Sequence, residues 1–267
     1  MRKVHPTAVV DPKAWVDDDV EIGPYCVVSG GAVIGRATRL ISHVHISGEV
    51  RIGTNNVIYP FSTIGSEPQD LGYNGAPTWV VIGNDNVIRE ACTIHRATTK
   101  EAGVTTVGSN NFFMCGVHLG HDTVVGNHVM IANNTLVSGH CHIHDYAGIS
   151  GAVGIHQFTT VGSYCFIGGM SRVPIDVPPY MLVEGSPMEV RCVNTVGLKR
   201  RGFSQEDIRS LAQAHRLLYR QRVPLAAARE ELQQSNLFSE PVSELFRFLE
   251  SQRGGRLGRG REGRKAA

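Results

Sequence analysis

The chain has 267 residues, 42% of them hydrophobic, and a formal net charge of +2. This length suits one large domain with a smaller one, and the nearly balanced charge gives no reason to expect a nucleic-acid or membrane partner. The N-terminus lacks the apolar core of a secretory signal, and no apolar run approaches membrane-spanning length.

A six-residue repeat occupies the first two thirds of the chain. Aliphatic or aromatic residues recur at this spacing from Val10 to Ile64, from Ile82 to Ile94 and from Val107 to Val173. A period of six fits neither a plain helix nor a flat strand, and it is the hexapeptide signature of a parallel β-helix. We therefore predict an all-β left-handed parallel β-helix over residues 1–190. Three hexads would close one triangular coil of 18 residues, with successive strands about 4.8 Å apart.

The cysteines fit this interpretation. Four of the six occupy the small inward position of a hexad: Cys26, Cys92, Cys141 and Cys165. They are expected to be core thiols rather than a disulfide framework, which favours a reducing, cytoplasmic environment.

Two excursions interrupt the repeat. Residues 65–79 carry three Gly and two Pro, and place Asp70 where an aliphatic residue is due. Residues 95–106 lie in a stretch of 13 positions between Ile94 and Val107, where 12 would keep the phase. Loops that leave a solenoid commonly build its binding face, so both are candidates for the functional surface.

The repeat ends after Val173, and a helical C-terminal domain is predicted over residues 191–253. One helix begins at Ser204, a second follows Pro224 and a third comes after it. The last segment, residues 254–267, is basic and Gly-rich with almost no apolar residues, and is predicted to be disordered.

The 18-residue period places side chains in space. Gly139 would lie directly above His121, and Gln157 above Gly139, with Asp122 beside His121. Four histidines and Gln157 would converge on one corner of the prism, within two coil steps of about 4.8 Å. These histidines are His118, His121, His140 and His156.

This patch suggests acyl transfer onto a hydroxyl. A neutral imidazole whose tautomer is fixed by a carboxylate is a suitable general base, which indicates His121 with Asp122. A Gly at position 139 lets a backbone N–H approach a developing oxyanion. No Ser or Cys nucleophile is evident beside His121, so direct attack by the acceptor is favoured over an acyl-enzyme.

Other interpretations stay open at this point. A polar, solvated corner would also explain the histidines. A zinc site is suggested by His140, Cys141, His142 and His144, although Cys141 fills an inward position and one strand cannot bring all four to one ion. Gamma-class carbonic anhydrases, which place three histidines around zinc at a subunit interface, remain an alternative. So does a non-catalytic β-solenoid scaffold.

The segment from Gly197 to Phe203, GLKRRGF, lies where the prism meets the helical domain. It is either a solvated basic stretch or a phosphate clamp, because guanidinium groups pair bidentately with oxyanions.

Seven motifs together resemble the bacterial UDP-N-acetylglucosamine 3-O-acyltransferase family over nearly the whole chain. They are QDL at Gln69–Leu71, TIHR at Thr93–Arg96, HLGHD at His118–Asp122, SGH at Ser138–His140, HQF at His156–Phe158, VPPY at Val177–Tyr180 and GLKRRGF at Gly197–Phe203. Hexads alone indicate only the broad hexapeptide-repeat superfamily, whereas these motifs in this order are specific.

The resemblance implies transfer of an (R)-3-hydroxyacyl group from acyl-carrier protein to the 3-hydroxyl of UDP-N-acetylglucosamine, the first step of lipid A biosynthesis. It implies a homotrimer with sites between neighbouring prisms. No metal or other cofactor is expected, because the donor carries its own phosphopantetheine. His121 would be the general base, Asp122 its orienting acid and Gly139 the oxyanion donor, and Gly169 would line the acyl pocket. The implied substrate ligands are Gln69, Asp70, His95, His118, His140, His156, Gln157, Asn194, Arg200 and Arg201.

Three positions depart from the family pattern. Gly72 stands where many relatives have Lys, Val196 where relatives often have an acid, and Pro187 near the site where the acyl tail is gauged. They leave nucleotide affinity, acceptor selectivity between a 3-hydroxyl and a 3-amine, and acyl length open. The N-acyltransferase of the same pathway is a further alternative, but it carries an extra N-terminal domain, and here the hexads start by residue 10.

Overall fold

Short parallel strands form the three faces of a triangular prism in the computed structural model, which describes residues 3–256 and residue 258. Face A contains Lys3–Val4, Glu21–Ile22, Arg39–Leu40, Val57–Ile58, Val87–Ile88, Phe112–Phe113, Met130–Ile131, Gly148–Ile149, Phe166–Ile167, Met181–Gly185 and Met188–Val193. Face B contains Val9–Val10, Val27–Val28, His45–Ile46, Thr63–Ser66, Thr93–His95, His118–Leu119, Leu136–Val137, Gly154–Ile155 and Arg172–Val173. Face C contains Trp15–Val16, Ala32–Ile34, Glu49–Ile52, Trp79–Ile82, Val104–Val107, Val124–Val125, His142–Ile143 and Thr160–Val161.

The hexad aliphatics fill the inside of the prism. Away from the two loops and the C-terminal hairpin, neighbouring strands pair in parallel with partners 18 residues apart, as Leu119 does with Val137. Both side chains are 0% exposed. Burying one such side chain contributes about 1.5–3 kcal/mol, so the ladder of aliphatics is the main source of stability. The predicted left-handed parallel β-helix with a small helical C-terminal domain is confirmed.

Each edge of the prism turns through a residue with positive φ. On the edge between faces B and C, here called the B/C edge, the φ angles are 58° at Asp122, 62° at His140 and 66° at Phe158. Asp and His tolerate this left-handed conformation better than most residues do. The edge therefore stacks side chains that are 18 positions apart into vertical rows.

Both loops leave the prism at the B/C edge in successive coils. Residues at the ends of the two predicted excursions belong to strands, so the loops observed in the structure are shorter and cover residues 67–78 and 96–103. Trp79 belongs to a strand because it pairs with Glu49 on one side and Val104 on the other. The two loops consequently lie beside each other above one edge.

The C-terminal part begins with an antiparallel hairpin, Met181–Gly185 with Met188–Val193, which extends face A. Four helices follow within the described residues: α1 Thr195–Arg200, α2 Gln205–His215 with a π-helical turn Arg216–Arg220, α3 Leu225–Gln234 and α4 Glu240–Arg253. The sequence did not predict the hairpin or α1, because neither repeats with period six and α1 has only six residues. Of the segment predicted to be disordered, 257 and 259–267 lie outside the described residues.

The helices are held against the end of the prism. Leu198 of α1 is fully buried, and the Tyr180 hydroxyl donates to the Glu244 carboxylate of α4. Ser204 caps α2 by accepting from the N–H of Asp207 at 3.0 Å, as its predicted role requires.

None of the helices in the described part of the chain combines the length and the apolar character that a bilayer crossing requires.

Candidate active site

The B/C edge carries a histidine–carboxylate pair. Nδ1 of His121 lies 2.8 Å from Oδ2 of Asp122, which is 1% exposed. The N–H of Asp122 donates to Oγ1 of Thr105 at 2.9 Å, which fixes the corner. An ionised carboxylate only accepts hydrogen bonds, so the imidazole proton lies on Nδ1 and the lone pair on Nε2. The pair thus presents Nε2 as a base.

Thr98 of the second loop holds the carboxylate from the other side. Its N–H and its hydroxyl both donate to Oδ2 of Asp122, at 3.0 and 2.7 Å. Burial raises the pKa of Asp122, but the hydrogen bonds from His121 and Thr98 outweigh burial and bring that pKa below its ordinary value. Asp122 is therefore ionised at neutral pH.

Gly139 lies one coil above the imidazole of His121. A Cβ at this position would be 2.6 Å from Cε1 and 2.8 Å from Nε2 of the ring, so any other residue would displace the imidazole from its place beneath the backbone of residue 139. Gly120 has the same constraint, because a Cβ there would be 2.7 Å from the backbone nitrogen of Gly139. The sequence analysis did not single out Gly120, although it directly precedes the pair. The oxyanion role of the Gly139 amide stays a prediction.

His140 is buried beside the pair. Its ring stacks flat on Phe158, with centroids 4.4 Å apart, and meets the ring of His121 edge-on at 5.0 Å. Nδ1 of His140 lies 3.3 Å from Oε1 of Glu101, and Nε2 lies 3.9 Å from Oδ2 of Asp122. Both ring nitrogens therefore face carboxylates.

His118 lies on a face B strand in the same coil as the pair, and His95 ends the face B strand one coil below. Their ring centroids are 5.3 Å apart, and Nδ1 of His118 is hydrogen-bonded to Oγ1 of Thr93 at 2.8 Å. Burial, with smaller contributions from the charges of His95 and His121, lowers the pKa of His118 to about 4. His118 is therefore a neutral hydrogen-bonding group at physiological pH. His95 donates from Nδ1 to the carbonyl of Glu67 at 2.6 Å.

Asp70 connects the two loops. Its carboxylate accepts a short hydrogen bond from the Lys100 ammonium and another, at 2.8 Å, from the N–H of Gly72. The hydrogen bond from Lys100 is the main cause that lowers the pKa of Asp70, and the hydrogen bond from the Gly72 N–H adds to it. Gln69, just before it, is exposed.

Three residues of the second loop were missed by the sequence analysis. Thr98 contacts Asp122 and Lys100 contacts Asp70. Glu101 lies beside His140. The single signal for them was the 13-residue step in the repeat. That step marks an insertion, but it carries no register from which side chains could be placed.

Two further predicted ligands lie higher on the edge. Gln157 stands two coils above His121, in the row that passes through Gly139, and His156 directly precedes it. Nδ1 of His156 lies 3.2 Å from the carbonyl oxygen of Gln157.

The remaining predicted ligands lie on a different edge, between faces C and A. They are Asn194, Arg200 and Arg201, which help to line a cavity of about 620 Å³. The guanidinium of Arg201 lies 4.8 Å from the ring centroid of Tyr146. Asn194 donates from Nδ2 to the carbonyl of Tyr164 at 2.9 Å and caps α1 with Oδ1. Within one chain these residues are not brought to His121.

Gly169 lies on the third edge, between faces A and B. It is exposed, and a Cβ there would come no closer than 3.5 Å to any neighbour, the carbonyl oxygen of Gly151. Face B separates it from His121, and the outward positions on that face include Leu136, which is 56% exposed, and Gly154.

The linear zinc candidate does not form a cluster in the described residues. Cys141 is fully buried, and its Sγ donates to the carbonyl of His156 at 3.1 Å. A different trio brings one ligand atom each within 4.8 Å of the others: His121, Asp122 and His140.

Two family models match the chain. The hexapeptide transferase model, described as six repeats, matches residues 105–139. The model described as UDP N-acetylglucosamine O-acyltransferase, domain 2, matches residues 176–257. The matches thus fall on the prism around the pair and on the helical end.

Similar proteins cover nearly the whole chain. The acyl-[acyl-carrier-protein]–UDP-N-acetylglucosamine O-acyltransferase of Saccharophagus degradans is 50% identical over 87% of this chain and 90% of its own length. The enzyme of the same name from Thermodesulfovibrio yellowstonii is 45% identical over 96% of this chain and 99% of its own. Among solved structures, LpxA from Acinetobacter baumannii matches with a TM-score of 0.86 at 41% identity, covering 91% of this chain and 94% of that one. LpxA of Bacteroides fragilis matches with a TM-score of 0.89 at 36% identity, covering 92% and 96%.

Proposed function

This chain belongs to the acyl-[acyl-carrier-protein]–UDP-N-acetylglucosamine O-acyltransferase family, and on that premise we propose that His121 is the general base of its reaction. The protein is an acyltransferase that moves an acyl group from acyl-carrier protein to UDP-N-acetylglucosamine in the first step of lipid A biosynthesis. The donor group is an (R)-3-hydroxyacyl thioester and the acceptor is the sugar 3-hydroxyl. The observation that supports this mechanism is the His121–Asp122 pair directly beneath Gly139.

The reaction follows from the tautomer of His121. Nε2 takes the proton of the 3-hydroxyl while its oxygen attacks the thioester carbonyl carbon. The resulting oxyanion accepts a hydrogen bond from the Gly139 amide, and the Asp122 carboxylate stabilises the imidazolium. The C–S bond then breaks, and the departing sulfur takes the proton from Nε2. No metal or other cofactor is part of these steps.

The predicted ligands on the B/C edge would hold the sugar around Nε2. Asp70 accepts hydrogen bonds from hydroxyls, and neutral His118 either donates or accepts. His95, His140, His156, Gln157 and Gln69 complete the proposed set.

The distribution of ligands supports a homotrimer. Arg200 and Arg201 lie on the edge between faces C and A, while His121 lies on the B/C edge, so one substrate can contact both groups only between two prisms. Three prisms around an axis close such an arrangement. Arg200, Arg201 and Asn194 of one subunit would then bind the nucleotide or the phosphopantetheine of a substrate held at His121 of the next.

We expect the purified protein to have the mass of a trimer at assay concentration. Analytical ultracentrifugation under turnover conditions would measure it. A monomer with full activity would contradict the shared site.

A cytoplasmic location is supported by the cysteines. None of the six, which all lie in the described residues, forms a disulfide, and four of them are buried in the prism. Thiols persist in a reducing compartment.

The direct test is an assay of purified protein with UDP-N-acetylglucosamine and a panel of (R)-3-hydroxyacyl-carrier proteins. Mass spectrometry should detect an acyl ester, which NMR should place at the 3-oxygen. The analogue with a 3-amine measures acceptor choice. Zinc-dependent CO₂ hydration without acyl transfer would instead favour the carbonic anhydrase alternative. If the protein showed neither activity, the scaffold alternative would be favoured.

Activity is expected without metal. Enzyme dialysed against a strong chelator should keep its full rate, because the proton transfers need only His121 and Asp122. Elemental analysis of the dialysed sample serves as the control. Loss of turnover that returns when zinc is added would contradict this mechanism.

Gly169→Met is expected to shift donor preference toward shorter acyl chains by tenfold or more. The new side chain would fill the space at the end of face B, and each excluded methylene costs about 0.8 kcal/mol, roughly fourfold in binding. Gly169→Ala, which adds only a methyl group, should shift preference much less. The measurement is kcat/KM across donors of increasing length, and parallel profiles for all three proteins would show that Gly169 does not line the acyl path.

A further inference from the structure

The catalytic pair is part of a cluster of metal-ligand type. His121, Asp122 and His140 each offer one ligand atom within 4.8 Å of the other two. Two imidazoles with one carboxylate form a donor set that binds divalent zinc, leaving a fourth position for water. In the proposed acyl transfer His140 would hold the sugar and takes no part in the proton transfers, so metal binding would be a separate property of these three residues.

One oxygen of Asp122 lacks a partner. Oδ2 accepts hydrogen bonds from His121 and Thr98, whereas Oδ1 is buried and has no hydrogen-bond partner among the described residues. Asp122 as a whole is 1% exposed. Buried polar atoms without a partner are uncommon and indicate an ion, a water or a functional role. A metal ion at this oxygen would therefore displace none of the hydrogen bonds that Asp122 makes.

His140 has a carboxylate near each of its ring nitrogens. Oε1 of Glu101 lies 3.3 Å from its Nδ1, and its Nε2 points toward Asp122, 3.9 Å from Oδ2. A carboxylate on one ring nitrogen commonly holds the other nitrogen toward a metal. The flat contact with Phe158 fixes the plane of the ring.

From this geometry we propose that Zn²⁺ binds His121, Asp122 and His140 and thereby inhibits the enzyme, an inference that rests on the proposed function. The ion takes Nδ1 of His121 as a ligand. The proton of that nitrogen moves to Nε2, so the imidazole stays neutral but its lone pair at Nε2 is lost. The ring can then no longer accept the proton of the acceptor hydroxyl. Metal-free protein is the active form.

Co²⁺ provides a readout that does not need turnover. Added to metal-free protein, it should give the visible absorption bands of a tetrahedral site, which Zn²⁺ displaces. Glu101→Gln should weaken Co²⁺ binding by about 10–100-fold, the usual effect of removing a carboxylate behind a metal-bound histidine. His140→Gln should abolish the bands, and Glu230→Gln, on an exposed surface of α3, should leave them unchanged. No bands with the parent protein, or the same affinity in Glu101→Gln, would overturn the site.

Inhibition tests the consequence. With each protein's own metal-free rate as the reference, Glu101→Gln should need about 10–100-fold more Zn²⁺ for half-inhibition than the parent protein. Equal inhibition of both proteins, or a rate that rises with zinc, would overturn the inhibitory role. Absence of acyl transfer in metal-free protein would count against the proposed function, while the Co²⁺ bands would still decide the metal site.

Discussion

His121→Ala is expected to lower kcat by at least about 100-fold, the usual scale for losing a positioned base. Nδ1 of the imidazole is engaged with Asp122, so Nε2 is the base nitrogen of the pair, and alanine provides no replacement for it. The fold should survive, because the side chain lies on an edge of the prism and the aliphatic ladder inside is untouched. Steady-state kinetics at saturating substrates would measure the loss, and thermal unfolding would check the fold.

His45→Ala is a matched control for this change. His45 points outward from face B near the N-terminal end, and is exposed. It should keep the parent rate. Near-normal turnover by the His121 variant would mean that another group removes the proton, and the mechanism would be wrong.

Gly139→Ala is expected to lower kcat by about 10–100-fold, since displacing a catalytic group by a fraction of an ångström is costly. The added methyl would lie 2.6 Å from Cε1 of His121, which is closer than two non-bonded carbon atoms can approach, so the ring must move. The backbone N–H of residue 139 is retained, so the loss reports the position of the base rather than the removal of an oxyanion donor.

Gly154→Ala is the control, because a Cβ at that position meets no heavy atom within 4 Å. It should change kcat little. Unaltered kcat in both variants would show that the imidazole does not work from the position beneath Gly139. A crystal structure of Gly139→Ala should show the displaced ring.

The prism and the His121 row could be predicted because the repeat is rigid. A parallel coil of fixed length leaves no freedom in which residue lies above which, so Gly139 had to stand over His121. The stacking of His140 on Phe158 follows from the same period. The roles of these residues could not be predicted from spacing alone and depended on the family motifs.

The contacts from the second loop could not be predicted in this way. Thr98 and Glu101 lie in residues that follow no period, and their positions depend on where the loop folds back. The hydrogen bonds from Thr98 to Asp122 are the main feature of the His121–Asp122 site that the structure shows and the sequence did not predict. Nor could the repeat show that Arg201 lies on another edge from His121, because it lies beyond the last hexad.

The pairing of strands across the loops constrains which changes in chain length this enzyme tolerates. Ile64 pairs with Ile94 and Ile94 with Leu119, at separations of 30 and 25 rather than 18, so the loops add 12 and 7 residues without turning the strands above them. Insertions at these corners therefore extend the loops and leave the pairing of the strands unchanged. A deletion of six residues between His121 and Gly139 would move every later residue onto the next face and carry Gly139 away from His121, whereas a deletion of 18 residues elsewhere in the prism would remove one complete coil. We expect homologous chains to differ freely in length at the loops. Within the prism we expect length differences only in multiples of one 18-residue coil.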